Sequence, residues 1–305
     1  MYNEKERGRD MMKKLIMCLI CMLLIMSGCS SSQSYPSDYP SSPAVKMDEV
    51  LDIDVPQTDI KENDLYIVDY SKRNNGYITV RKKNNNEKLK IQIIKDEFAY
   101  TYDVDSNEFV GLPLQMQDGE YTIRVARNVV QKDYAIIDSF SINVTLESEL
   151  EPYLYPNKII NYKKDSQVVK TSMDVCKNLD NDLQRIEKCY TWVINNMEYD
   201  ENKVSEANSK YLIPDLDEVL EEKKGICFDY ASLLCAMLRV QNIPTRVVCG
   251  NTDIDYHAWI EVYLEGKGWV NPDIFIDEKI WSRMDPTFAD SKYDYDGTYE
   301  AIYYY

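Results

Sequence analysis

The sequence predicts an α+β protein in which a small all-β sandwich precedes a domain of mixed helices and strands. Three observations carry that expectation. Between about Leu65 and Leu146 apolar side chains recur every second residue, the period of a half-buried strand. After Glu149 the spacing changes to three and four, the period of a helix with one buried face. Near the end, at Thr245–Cys249 and Tyr256–Leu264, strand-like alternation returns.

Taken in order, the chain starts with MMKKLIMCLICMLLIMSGC, in which Lys13 and Lys14 precede an apolar stretch from Leu15 to Met26. That stretch falls short of the roughly 20 residues needed to span a bilayer, so residues 1–28 read as a secretion signal. Met26-Ser27-Gly28-Cys29 resembles the lipobox of bacterial lipoproteins, which implies that Cys29 is lipidated and becomes the first residue after cleavage. An ordinary cleaved signal with an incidental cysteine is the alternative. The polar run SSSQSYPSDYPSSP suits a flexible linker over residues 29–58. The expected location is the extracellular face of a bacterial cell membrane, with the lipid as the membrane contact.

Residues 59–150 form the predicted sandwich. Leu89, Ile91 and Ile93 alternate with Lys90 and Gln92, and Phe140, Ile142, Val144 and Leu146 alternate with polar neighbours. Turn signals at Asn74-Asn75-Gly76, Asn84-Asn85-Asn86 and Asp118-Gly119 separate such runs, as in an Ig-like sandwich. The region has no histidine, no cysteine and no carboxylates at metal-ligand spacing. Its expected role is that of a spacer or a binding module.

Residues 151–305 form the second domain. Leu183, Ile186, Tyr190 and Val193 make one apolar face of a helix that ends near Asn195-Asn196. A short helix over Leu216–Glu222 leads to Lys223-Lys224-Gly225. The run GICFDYASLLCAMLRVQNIPTR then reads as a helix that starts near Cys227 and is stopped by Asn242-Ile243-Pro244.

Charge excludes one class of partner. Of 35 Lys+Arg and 52 Asp+Glu in the chain, residues 1–28 hold 5 and 3, so the remainder carries a net charge of −19. Such a surface repels polyanions, and no nucleic-acid partner is expected. The eight cysteines do not form a disulfide framework, because two lie in the signal and one is Cys29. The others, Cys176, Cys189, Cys227, Cys235 and Cys249, show no Cys-x-x-Cys or zinc-ligand spacing. No metal and no cofactor is expected, and the thiols other than Cys227 read as small buried hydrophobes.

Chemistry concentrates in one place. The chain has a single histidine, His257, thirty residues after Cys227. Cys227 falls at a helix start, where the macrodipole and unpaired amides favour thiolate over thiol. His257 falls at a strand start, on the face shared with Trp259, Glu261 and Tyr263 and opposite Ala258, Ile260, Val262 and Leu264.

The set GICFDYASLLCAMLR, NIPTRVVCG, HAWIEVYLEGKGW and MDPTF resembles the catalytic core of the transglutaminase-like superfamily, from about Leu183 onward. The resemblance implies a papain-like core, a helix bundle packed on an antiparallel sheet. It also implies roles: Cys227 as nucleophile, His257 as base and an aspartate to orient the imidazole. Two aspartates lie four residues after a tryptophan, Asp273 after Trp269 and Asp285 after Trp281. Spacing from His257 favours Asp273, but Asp273 follows Pro272, which has no N–H for a central ladder. Asp285 begins an Asp-Pro-Thr sequence of the kind that follows the acid in this family. Asp285 is the expected acid, with Asp273 the alternative.

These roles imply attack on an amide carbonyl and a thioester acyl-enzyme. Passage of the acyl group to water gives a peptidase or amidase, and passage to an amine gives a cross-link. The expected substrates are proteins, peptides or cell-wall peptides. The competing expectation is a surface binding or scaffold protein that keeps the fold without turnover.

Overall fold

The computed structural model describes residues 40–83, 86–207, 212–253, 256–270, 287 and 298–305. The predicted signal, Cys29, Asp273 and Asp285 lie outside the described residues.

The first part is a pair of four-stranded antiparallel sheets. Its strands are β1 (Ile60–Glu62), β2 (Tyr66–Asp69), β3 (Tyr77–Lys82), β4 (Leu89–Lys95), β5 (Phe98–Val104), β6 (Val110–Pro113), β7 (Gly119–Val130) and β8 (Asp133–Val144). The orders are β1-β2-β3-β6 and β5-β4-β7-β8. Register brings Val68 opposite Val80 and Ile78 opposite Leu112 in one sheet. In the other it brings Ile91 opposite Val125 and Ile93 opposite Ile123. All eight side chains are buried, so the expected alternation is that of a sandwich core. Each fully buried aliphatic residue contributes about 1.5–3 kcal/mol.

The first sheet is also covered on its outer face. Tyr77 packs against Tyr155 in a tilted arrangement with ring centroids 4.9 Å apart, and its hydroxyl accepts from Asp54 N at 2.9 Å. Gly111 lies so close to this cover that a Cβ there would stand 2.9 Å from the Pro156 carbonyl oxygen. Residues 40–58, expected within a flexible linker, are thus tied down where they are described. Ser42 N donates to Asp180 O at 2.8 Å, and the buried Arg185 donates to the Ser42 carbonyl at 2.7 Å. A polar, low-complexity run reads as a spacer, but its carbonyls are the acceptors that a buried guanidinium needs.

The second part holds α1 (Gln167–Val175), α2 (Asp182–Asn196), β9 (Glu198–Tyr199), α3 (Glu201–Ala207), α4 (Leu216–Glu222), β10 (Lys224–Gly225), α5 (Cys227–Val240), β11 (Thr245–Thr252), β12 (Tyr256–Leu264), β13 (Gly268–Val270) and β14 (Tyr299–Tyr304). Helix α5 is the centre, packed by α1, α2 and α4 on one side and by β11 and β12 on the other. Every residue from Asp229 to Val240 is buried, which is why its sequence is apolar nearly all round. Caps match the sequence: Asn181 accepts from Gln184 N at 3.0 Å, and Asp215 accepts from Asp217 N and Glu218 N. The sheet runs β13-β12-β11-β14, antiparallel throughout, so a helix bundle on an antiparallel sheet is what the chain builds.

Residues 40–305 form one compact unit, because the last strand joins the two parts. Tyr304 N donates to the Tyr100 hydroxyl at 3.3 Å, and Gln115 Nε2 donates to Tyr304 O at 3.1 Å. Arg239, fully buried on α5, donates to Thr245 O, Tyr155 O and Tyr305 O at 2.7–2.9 Å. The buried guanidinium is thereby hydrogen-bonded through both its Nε and its terminal nitrogens.

Candidate active site

Helix α5 begins at Cys227, after extended Ile226 at its N-cap. Ile226 has no side-chain oxygen, and the cap comes from the other direction. Asp229 Oδ2 accepts from Ile226 N at 2.8 Å, so the third residue of the helix reaches back over its start. Gly225 permits this, since a Cβ there would stand 2.5 Å from Asp229 Cβ. The other Asp229 oxygen accepts from Lys203 Nζ at 2.9 Å. Asp229 is 1% exposed, so its charge is neutralised by that lysine and by the helix N-terminus.

A second constraint holds the approach to Cys227. Strands β9 and β10 pair in parallel, Gly225 beside Tyr199 and Lys224 beside Glu198. Asp200 N donates to Gly225 O and Glu198 N to Lys223 O, both at 2.9 Å. Tyr199 is therefore paired two residues before Cys227. Trp192 lies on α2, where its carbonyl accepts from Asn196 Nδ2 at 2.8 Å.

His257 lies on β12, paired with Gly250 of β11, and is 8% exposed. Cys249 pairs with Ala258 in the same ladder. Its thiol is pushed up to about 12, first by burial and then by the charge of Cys227, against a hydrogen bond with Tyr256. Cys227 is thus within electrostatic reach of Cys249, while Cys235, two turns on, donates to Thr245 O at the other end of β11. Cys227 opens α5, and His257 is the second residue of β12.

The other face of β12 is equally buried, with Trp259 at 1% and Glu261 at 5% exposure. Arg246 pairs with Glu261 and lies over the rings of Trp269 and Tyr304, 4.1 Å from each centroid. Burial raises the Glu261 carboxyl, and Arg246 opposes that rise. Gly250 is where β14 presses closest, since a Cβ there would stand 2.0 Å from Glu300 O.

Among the five described cysteines only Cys227 is not fully buried. Burial pushes Cys235 up to about 11, and contact with Cys176 raises Cys189 well above its ordinary range. Sequence reasoning did not single out Asp229 or Lys203. An acidic residue three positions after the residue before the helix was the available signal for Asp229, but Ile226 at the N-cap masked it. Lys203 left none. Among the described residues no group of three or more His, Cys, Asp or Glu is placed to hold a metal ion. No described helix is long and apolar enough to cross a membrane.

Residues 170–274 match the model of the transglutaminase-like superfamily, a span that takes in Cys227, His257 and Asp273 and stops before Asp285. Over 107 residues the chain is 28% identical to mouse kyphoscoliosis peptidase, which covers 31% of this chain and 16% of that protein. Over 188 residues it is 29% identical to UPF0252 protein MJ1282 of Methanocaldococcus jannaschii, covering 51% and 53%. The chain therefore spans about half or less of the curated relatives it matches. A solved structure of a suspected cysteine protease from Cytophaga hutchinsonii is similar at 17% identity and a TM-score of 0.35, covering 75% of this chain and 91% of that one. Red sea bream transglutaminase is similar at 13% identity and 0.26, covering 69% and 48%.

Proposed function

We propose, for a chain whose residues 170–274 form a transglutaminase-like superfamily domain, that the protein is a cysteine enzyme acting on amide bonds of protein or peptide substrates through a thioester. The observation that carries the reading is that the one incompletely buried described thiol opens a helix and acts electrostatically on Cys249, the strand neighbour of Gly250, which pairs with the chain's single histidine, His257.

In this reading His257 takes the Cys227 proton, and Sγ attacks the amide carbonyl carbon. Helix N-termini leave their first N–H groups without intrahelical partners, and those of α5 receive the charge that develops on the carbonyl oxygen. As the C–N bond breaks, the imidazolium returns its proton to the leaving amine. Water or a second amine then attacks the thioester and regenerates the thiol. Asp285 is our choice to orient His257, with Asp273 as the competitor. Lipidation of Cys29 holds the enzyme on the outer face of the membrane, and palmitate labelling that survives Cys29→Ala would overturn that part.

Alkylation tests the central claim. At pH 6 an ordinary thiol, with a pKa of about 8.5, is almost wholly protonated and slow. Iodoacetamide should modify Cys227 at least about tenfold faster than such a thiol, and His257→Asn should remove the advantage. A slow, His257-independent reaction would instead identify a scaffold that retains the fold without turnover. If Asp273→Ala abolishes the fast reaction and Asp285→Ala preserves it, the acid is Asp273.

A further inference from the structure

Two thiols that the proposed reaction does not use face each other across a helix pair. Cys176 follows the last residue of α1, and Cys189 lies within α2, 13 residues further along the chain. Their sulfurs are 3.4 Å apart, and the two residues are 1% and 0% exposed. A disulfide holds its sulfurs about 2.05 Å apart, so the gap to close is about 1.4 Å, within reach of small side-chain rotations. Cys235, by contrast, is directed at the Thr245 carbonyl oxygen.

The turn between the two helices does more than connect them. After Cys176 it runs through Lys177, Asn178 and Asp180, all exposed, with Asn178 in the left-handed region at a φ of 62°. Asp180 O accepts from Ser42 N at 2.8 Å and from Ser41 Oγ at 3.1 Å. Arg185 donates to both Leu179 O and Ser42 O, at 3.2 and 2.7 Å. This turn is therefore where the segment that begins the described chain docks. Helices α1 and α2 pack against each other and both pack on α5, the helix that Cys227 opens.

The geometry points to a redox-dependent clamp: Cys176 and Cys189 close to a disulfide that staples α1 to α2 and fixes the turn on which Ser41 and Ser42 dock. The oxidant is a small-molecule disulfide of the glutathione class. One protein thiolate attacks a sulfur of that disulfide and expels one small thiolate. The other protein thiolate then attacks the protein sulfur of the mixed disulfide and expels the second. Two protein thiols are oxidised, one external disulfide is reduced to two thiols, and the two protein protons pass to the expelled thiolates. The exposed turn after Cys176 opens to admit the oxidant, a local event that does not require global unfolding. Residues 1–28, read as a secretion signal, place the chain where such oxidants prevail. The clamp uses neither Cys227 nor His257, so its test stands apart from that of the catalytic reading.

The full chain is brought to constant composition in glutathione mixtures from fully reduced to fully oxidised, remaining thiols are blocked with N-ethylmaleimide, and tryptic peptides are mapped without reduction. Cleavage after Lys170, Lys177, Lys188 and Lys203 puts Cys176 in peptide 171–177 and Cys189 in peptide 189–203, so the link reads as one joined species that has lost a hydrogen from each thiol. That species should be the predominant cysteine pair in the oxidised mixture. On a Cys227→Ala background, which removes the reaction of the accessible thiol, Tm should be about 5 °C higher in the oxidised than in the reduced mixture, because the link closes a short loop of the unfolded chain. Adding Cys189→Ala should abolish that difference, and because the readout is a difference between mixtures, a general loss of stability does not obscure it. Absence of the joined peptides in the fully oxidised mixture overturns the proposal, as does a joined species that leaves Tm unmoved or a redox-dependent Tm that survives Cys189→Ala.

Discussion

Truncating Asp229 tests how the start of α5 is held. Asp229→Ala leaves Cβ in place, so Gly225 still packs against the same atom, and the change is confined to the carboxylate. Two interactions disappear. The bond from Ile226 N at 2.8 Å is a helix cap, worth about 1 kcal/mol. The bond from Lys203 Nζ at 2.9 Å is charge-assisted, worth about 1.5–3 kcal/mol. Lys203 has a side-chain exposure of 27%, so it rehydrates after the change, and the low end of that range applies. The expected loss is therefore about 2.5 kcal/mol, or a fall in Tm of roughly 5–10 °C for a unit of this size. Asp229→Asn keeps an acceptor for Ile226 N and should lose only about 1.5 kcal/mol. Urea unfolding followed by tryptophan fluorescence measures both. The same loosening should slow iodoacetamide at Cys227 in the native state, because the helix start that presents the thiol is no longer pinned. If Asp229→Ala unfolds within 0.5 kcal/mol of the unaltered chain, roughly the spread of a neutral surface change, the back-bonded cap and its lysine do not hold the helix start.

Thiol counting gives a second outcome: in the native protein DTNB should titrate Cys227 among the described cysteines, and Cys176, Cys189, Cys235 and Cys249 should react only after unfolding. Alkaline pH gives a third. Burial pushes Cys235 to about 11, Cys249 to about 12, and Tyr77 and Tyr155 to about 12, all above their ordinary ranges. Because these folded-state values are raised, their contribution is complete below pH 9 and is lost as pH climbs toward 12, when the unfolded chain releases protons that the folded chain retains. Tm should be insensitive to these groups up to pH 9 and fall beyond it; a Tm that rises between pH 9 and 11 contradicts their burial. Finally, Gly250→Ala places a methyl 2.0 Å from Glu300 O, so β14 must move; the cost should be about 1–3 kcal/mol, measured by thermal unfolding, with slower alkylation if His257 shifts with its strand neighbour.

Much of the second part was legible residue by residue. The helix face of Leu183, Ile186 and Val193 is buried in α2, which ends at Asn196 as its composition suggested. The spans Leu216–Glu222 and Tyr256–Leu264 are α4 and β12 with the expected bounds. Cys235 is a core residue and Cys227 opens α5. In the first part the alternation of β4 reads directly as buried and half-buried positions. Periodicity succeeds at these sites because each side chain's direction follows from its own backbone a few residues either way.

Other features had no local sign. Alternation assigned Ala258, Ile260 and Val262 to a buried face and left Trp259 and Glu261 opposite, yet both faces of β12 are covered. The second cover is built by Arg246, Trp269 and the returning strand β14, whose Tyr299 ring lies 4.8 Å from that of Trp259. The expected domain boundary near residue 150 likewise carries no mark of the contacts between Tyr304 and Tyr100. Asp273 and Asp285 fall outside the described residues, and the choice between them stays with the alkylation variants.

By itself the sequence determined which segments are strands and helices, that one thiol opens a helix, and that the chain holds a single imidazole. Those properties are local: they depend on period, caps and residue chemistry within a few positions. Only the tertiary structure decided that Lys203 closes on Asp229 across 26 residues, that Cys249 lies within electrostatic reach of Cys227, and that residues 40–58 pack on the sandwich and supply acceptors to Arg185. These pairings depend on the path of the whole chain, since a buried charge takes whichever partner that path brings within hydrogen-bond reach, and sequence spacing does not record that path.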